Sequence, residues 1–245
     1  MNGEEWAVSA LDECIGELEA CGLVRLWHTL ARGVAAFNVD RHEPDLGDDL
    51  MSLGVTMSVN FRNRAIRRAQ GHAAERAEDH WRVDGLRVGT KHNSLVMTLG
   101  GRQFFVMKAP VVLGRKVTLG SSLSGWDSSD LRGDAAARNS AALDGFRSDH
   151  LGQAALFSND TRLAPLNDFM LVWSADPESA LTAGYLGVPI QGARPFAALT
   201  QLWWDETSTT GAREPVAPTG PSFDSMPVTQ PHVQLRSRAS KNGEA

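Results

Sequence analysis

The spacing of apolar residues changes character at Trp81, and that change limits the folds open to this chain. Before it, Val8, Leu11, Ile15 and Leu18 recur at intervals of three and four, the seam of an amphipathic helix over Glu4 to Cys21 that Gly22 breaks. Leu23, Leu26, Leu30, Val34 and Phe37 mark a second helix, and a third is expected from Leu53 or Thr56 to Gln70, stopped by Gly71. A short charged helix fits Ala73 to Asp79. The first helix holds only two heptads, too few for a coiled coil, so these helices are expected to pack on the core of their own chain.

After Trp81 the alternation is that of strands. Trp81 to Val83 and Leu86 to Val88 flank Asp84-Gly85, a pair that accepts the positive φ angles of tight hairpins. Leu95, Met97 and Leu99 alternate with polar or smaller residues, and Gly100-Gly101 joins them to a strand over Gln103 to Lys108. Val111 to Leu113 and Val117 to Leu119 extend an expected antiparallel meander from about 81 to 119. Beyond a Ser/Gly-rich connection, Asp134 to Phe146 reads as helix and Ala154 to Phe157 and Phe169 to Trp173 as strands. Asp176-Pro177-Glu178 reads as a helix start, with Asp at the cap and Pro in the first turn, and that helix is expected to end near Tyr185 to Gly187. Phe196 to Trp203 is a final strand, on which the adjacent Trp203 and Trp204 must face opposite ways.

The order of elements implies an α+β fold: N-terminal helices packed on a central, mainly antiparallel sheet, with a disordered C-terminal tail. The expected divisions are a helical region at 1–80, a sheet-rich region at 81–204 forming one domain with it, and a tail at 205–245. In the tail Pro215, Pro218, Pro221, Pro227 and Pro231 lie among Ser, Thr and Gly, with little apolar area to offset the entropy of ordering.

Composition removes several function classes. The net charge of −5 argues against a general nucleic-acid or membrane surface. There is neither a basic segment leading into an apolar run at the start nor any run of about 18 apolar residues, so the expectation is a cytoplasmic protein with no membrane partner. Cys14 and Cys21 are the only cysteines; seven residues apart on one helix they stand too far apart for a disulfide and are expected to be buried free thiols. Lys91, Lys108, Lys116 and Lys241 are the only lysines against many arginines, a bias that points to a GC-rich bacterial genome.

Motifs exclude more than they suggest. There is no Walker A loop, no Gly-x-Gly-x-x-Gly after a strand and no His-Glu-x-x-His, and Gly120-Ser-Ser-Leu-Ser124 has serine where a nucleophile elbow requires glycine. The strand ending in Lys108 lacks the acids of the PD-(D/E)xK nucleases: Val106 stands two residues before the lysine, and the preceding strand carries no carboxylate. No cofactor is expected. Asp79-His80 and Asp149-His150 are adjacent in sequence without a reason to meet in space, and Ser122 or Ser124 with His150 makes a triad only in a fold that sequence does not reveal. Trp126, Trp173, Trp203 and Trp204 read as core or edge residues.

Two candidate sites remain. The third helix carries Arg62, Arg64, Arg67 and Arg68 with Asn60 and Asn63; Arg64, Arg67 and Arg68 fall within about 100° of arc, and Val55, Val59 and Ile66 are expected opposite them, facing the core. Such a face suits nucleic acid or an acidic protein surface, in a non-enzymatic binding or regulatory protein. The competing reading is an exposed face paired with Glu75, Glu78 or Asp79. The alternative function is a metal-dependent, nuclease-like hydrolase using the acidic loop at 40–49, where His42, Glu43, Asp45, Asp48 and Asp49 are close enough to hold Mg²⁺ or Ca²⁺, unless Asp48 or Asp49 merely caps the next helix. Nothing in the sequence sets the oligomeric state.

Overall fold

The computed structural model describes residues 2–71, 81–109, 129–150 (backbone alone at 147–150) and 165–206. The expected helix at 73–79, the strands at 111–113, 117–119 and 154–157, Ser122, Ser124 and Trp126, the side chain of His150 and nearly all of the tail lie outside these residues.

The described elements run in the order α1 (Gly3–Ala20), α2 (Leu23–Val39), a short 3-10 turn (Pro44–Leu46), α3 (Leu50–Gln70), β1 (Arg87–Lys91), β2 (Ser94–Leu99), β3 (Arg102–Lys108), α4 (Asp130–His150), β4 (Asp168–Ala175), β5 (Thr182–Pro189) and β6 (Phe196–Trp204). The strands form one six-stranded sheet in sequence order. Every pairing is antiparallel except β3 with β4, which are parallel and have α4 between them in the chain. The α+β class, with helices on a mainly antiparallel sheet, is what the change of period implies.

Local chemistry explains the boundaries. Asn2 caps α1 in a reciprocal box with Glu5, each side chain accepting from the other's backbone N–H at 2.8 Å. Gly22 and Gly71 take the left-handed conformation that separates α1 from α2 and ends α3. Gly100-Gly101 closes the β2–β3 hairpin, both at positive φ. The Asp84-Gly85 turn forms, but Trp81–Val83 is not a strand, and the hairpin expected there is absent. The Trp81 N–H donates instead to Arg68 O at 3.0 Å, and its ring is buried. The partner of β1 is β2, joined through His92 and Asn93 with φ of 47° and 64°. His and Asn are among the non-glycine residues that most often take positive φ, but the pair is a weaker hairpin signal than Asn-Gly or Asp-Gly.

The helix expected after Asp176 is also absent; a turn and then β5 occupy the segment. Asp176 does use its carboxylate as a cap, accepting from the N–H groups of Glu178 and Ser179 at 3.0 and 2.7 Å. The chain then reverses at Ala180, φ 57°, and Asp176 N–H donates to Leu181 O, closing the β4–β5 hairpin. Capping chemistry is shared by turns and helix starts, so the signal was real and its context was not.

The sheet separates two cores. Toward α1, α2 and α3 it presents Met97, Phe104, Phe169, Leu171, Trp173, Leu186 and Trp203, among which Trp27 and Phe61 insert; the Phe61 and Trp173 rings stack at 4.8 Å. Toward the first turns of α4 it presents Phe105, Met170, Val172, Tyr185 and Phe196. Trp203 and Trp204 pack on opposite sides, as their adjacency requires. The helix seams sit slightly off those expected. On α1 the buried set is Ala7, Leu11, Cys14 and Leu18, with Val8 exposed; on α2, Trp27, Ala31 and Ala35 are buried and Phe37 is 38% exposed. Cys14 is a buried free thiol whose burial pushes its pKa up to about 12, whereas Cys21, expected to be buried, is exposed.

A polar latch joins α2 to the end of the sheet. Asp205 accepts from the backbone N–H and hydroxyl of Thr182 at 3.0 and 2.8 Å and lies 2.7 Å from His28 Nε2. Trp203 Nε1 donates to the same Thr182 hydroxyl, and its ring stacks on His28. Burial acts to raise the Asp205 pKa, but the hydrogen bonds from Thr182 and His28 together outweigh it and hold the carboxyl below its ordinary value. Its stabilising effect is therefore present above the ordinary carboxylate pKa and fades as pH falls through the lowered one. Asp205→Ala should lower unfolding stability by about 1–3 kcal/mol, measured by denaturant titration at neutral pH. The difference from wild type should shrink below about pH 4, where the unfolded-state carboxyl protonates.

Candidate functional site

The third helix is where both candidate chemistries meet, and its orientation decides what each side chain can reach. Its buried stripe is Leu53, Met57, Phe61 and Ala65, four residues apart each time. This reverses the expected arrangement: Val55 and Val59 do not face the core but are 60% and 37% exposed, and Ile66 is only partly buried. A wheel anchored on the valines overlooks that leucine, methionine and phenylalanine carry more apolar area and win the inward face. Consequently Arg64 and Arg68 do not oppose the core. They continue the line of the buried stripe toward the C-terminal end of α3, where it runs beside the end of α2.

There the structure brings together Arg64, Arg67 and Arg68 from α3 with Arg41, just past α2, a residue that sequence reasoning missed. The guanidiniums of Arg41 and Arg64 lie 3.7 and 4.4 Å from the centroid of the Phe37 ring. Arg41 also donates to Phe37 O at 3.2 Å, and Arg64 donates to Gly33 O at 3.2 Å. Burial, followed by the like charges of Arg68, Arg41 and Arg67, pushes the Arg64 pKa below its ordinary value. Among the described residues, the charged groups acting on Arg64 are arginines. The carboxylate of Asp40, mostly exposed, stands 3.8 Å from Arg41. The Phe37-x-x-x-Arg41 spacing is legible in sequence as one turn of helix; that it faces α3 is not.

The remaining members of the expected set go elsewhere. Asn60 Nδ2 donates to Asn38 Oδ1 at 2.8 Å, and Asn38 donates on to Val34 O, so Asn60 ties α3 to α2. Arg62 turns to the β1–β2 turn, donating to Asn93 O at 2.6 Å, and Asn63, exposed, accepts from it at 3.3 Å. Glu75, Glu78 and Asp79 lie outside the described residues.

In the acidic loop two of the carboxylates have separate employment, while Glu43 and Asp45 are exposed. Asp49 caps α3, accepting from Ser52 N–H at 2.6 Å, which holds its pKa below the ordinary value. Asp48 accepts from Glu43 N–H at 3.1 Å and stands 3.8 Å from His42 Nδ1. Among the described residues no three His, Cys, Asp or Glu side chains are grouped to hold a metal ion.

A second feature lies on the other side of α3. Between this helix and β2–β4 is a cavity of about 300 Å³, walled by Val55, Val59, Phe61, Val106 and Trp173 and reached by Arg62 and Lys108. Lys108 occupies the inward face of β3, following Phe104 and Val106, and its Nζ would lie 3.8 Å from a Cβ placed on Gly54. Its ammonium is 5.9 Å from the Trp173 ring and makes no hydrogen bond or ion pair among the described residues. Burial alone lowers its pKa from the ordinary lysine value. The alternation that places Lys108 inward is readable in the sequence; the helix that roofs it is not.

Compared with known protein families, curated proteins and solved structures, the chain matches none.

Removing the unpaired ammonium should stabilise the fold. Lys108→Met should raise unfolding stability by about 1–2 kcal/mol at neutral pH, measured by denaturant titration. A lysine whose folded pKa is lowered penalises folding while charged, and the penalty lifts between the folded value and the unfolded one near 10.5. Wild type should therefore close the gap on the variant as pH rises toward that value.

Proposed function

We propose that the protein is a non-enzymatic binding or regulatory protein that grips the phosphate backbone of nucleic acid through Arg41, Arg64, Arg67 and Arg68. One observation carries this reading: the guanidiniums of Arg41 and Arg64 are held against one aromatic ring, with Arg67 and Arg68 of the same helix near enough to act on Arg64. Like charges brought together cost free energy in the free protein, and an incoming polyanion relieves that cost. The Phe37 ring and the carbonyls of Gly33 and Phe37 fix two of the forks in advance, so less side-chain entropy is lost on binding than for free surface arginines. Arginine forks suit phosphate oxygens, which carry no base identity, so the reading is of backbone contact.

The metal-dependent hydrolase reading draws no comparable support, because the loop acids serve as a helix cap and a turn brace.

Binding to fluorescently labelled single-stranded and duplex oligonucleotides should weaken steeply with salt, with a log–log slope between about −2 and −4 for up to four phosphate contacts. Replacing Arg64 and Arg67 by Gln should cut affinity about tenfold or more and make the slope shallower by about two phosphates' worth. Affinity unchanged by these substitutions sinks the proposal, and tighter binding to a polyglutamate peptide than to either oligonucleotide moves the partner to an acidic protein.

A further inference from the structure

We propose that the cavity between α3 and the sheet binds a small organic anion, its charged head at Lys108 and Arg62 and its apolar body against Trp173, Val106 and Val59. The site is independent of the arginine cluster, since Arg62 leaves α3 about 160° around the helix from Arg64.

The chemistry of the walls selects this ligand class. Two side chains that reach the cavity are cationic, and none of the described residues lining it is acidic. Arg62 is held by neutral acceptors, the carbonyl and side-chain oxygens of Asn93, which orient its fork and leave its charge uncompensated. Lys108 has no acceptor among the described residues, and burial lowers its pKa. Gly54 of the covering helix stands beside this ammonium, and a Cβ there would meet Nζ at 3.8 Å, an ordinary contact.

The rest of the lining sets the neutral polar residues Ser58, Asn93 and Ser94 beside apolar and aromatic ones. Phe61 and Trp173 stack on one another, which fixes the ring at the back of the cavity. Val55 and Val59, exposed on α3, form an apolar rim instead of the polar one expected of a helix surface facing water. A volume of about 300 Å³ lies at the lower end of small-molecule pockets and admits a single ring with a carboxylate or phosphate. Two cations with no acid among the described lining residues disfavour metal ions and cationic ligands by charge and favour an anion.

The test uses the full chain with isotope-labelled lysine, whose four ε-methylene signals are few enough to resolve, the Lys108 signal being the one missing from Lys108→Met. The probes are benzoate, phenyl phosphate and uncharged benzyl alcohol, each at up to about 10 mM, which detects even a millimolar Kd. The expected result is that benzoate or phenyl phosphate shifts the Lys108 signal and raises its midpoint of titration, while benzyl alcohol does neither. Whichever anion binds more tightly identifies the head group. By calorimetry, affinity for that anion should fall at least tenfold in Lys108→Met and several-fold in Arg62→Gln, and Val59→Trp should block it by filling the cavity. Equal perturbation by benzyl alcohol, or no shift of Lys108 with either anion, overturns the proposal. Loss of oligonucleotide binding in the Arg64 and Arg67 variants leaves this result unaffected, so the two readings fail separately.

Discussion

Two strands buried along their whole length hold this structure together. Every residue of β4 and of β5 is buried, and the two strands pair with each other and with β3 and β6 on either side. A strand pair with no exposed face requires cover on both sides of the sheet. The three N-terminal helices supply one cover and the first turns of α4 the other. Asn139 of α4 secures the second, donating to Asp168 O on β4 and Pro189 O on β5, both at 2.9 Å, while Arg138 forms a two-pronged pair with the Asp168 carboxylate at 2.7 and 2.9 Å. Gly184 lets the sheet close: the Trp203 ring lies where a side chain on β5 would stand. Trp203 in turn reaches the Thr182 hydroxyl that Asp205 also grips, so aromatic packing and the α2 latch share one anchor.

How much of this was readable from the residues alone depends on whether the signal was local. Helices α1 to α3 announce themselves by spacing and by Gly22 and Gly71, and the β2–β3 hairpin by two glycines. Where packing on a distant element decides, local reading fails. The β5 segment is apolar on both faces, so it has no alternation to distinguish it from a helix, and the preceding Asp-Pro-Glu offers a cap that turns use equally well. The His92-Asn93 turn exists because β1 and β2 pair on a register that also suits Arg62, not because those residues demand a reversal. The arginine and valine faces of α3 were exchanged for the same reason: the inward stripe is set by what the sheet and α2 leave vacant, which Met57 and Phe61 fill.

The two sites follow from that exchange. Had the valines turned inward, all four arginines would have faced water as independent surface groups, and no cavity would have opened at Lys108. With Phe61 inserted against Trp173, α3 is rotated so that Arg64 reaches the end of α2 and meets Phe37. The same rotation puts the valines at the mouth of the space above β3. The arginine cluster and the cavity are thus two consequences of one aromatic contact. Arg62, between them in sequence, belongs to the cavity because the β1–β2 turn offers it acceptors there.

The charge balance gives this arrangement a direction. The chain carries more acid than base, with 29 Asp and Glu against 24 Lys and Arg, yet Arg64, over the Phe37 ring, feels the like charges of Arg68, Arg41 and Arg67, while Asp40 stands 3.8 Å from Arg41. Other acids lie apart from this cluster: Glu4, Glu5 and Asp12 line a shallow groove at the start of α1, and Glu13 and Glu17 are engaged by Arg102. On the proposed reading, a net negative charge would repel a polyanion from much of the surface and leave the arginine cluster as its point of approach. At physiological ionic strength, where screening acts over about 8 Å, such a field would orient an anion only close to the cluster itself. Specificity of approach would then rest on the short-range forks that Phe37 holds in position, with the overall negative charge discriminating against contact elsewhere.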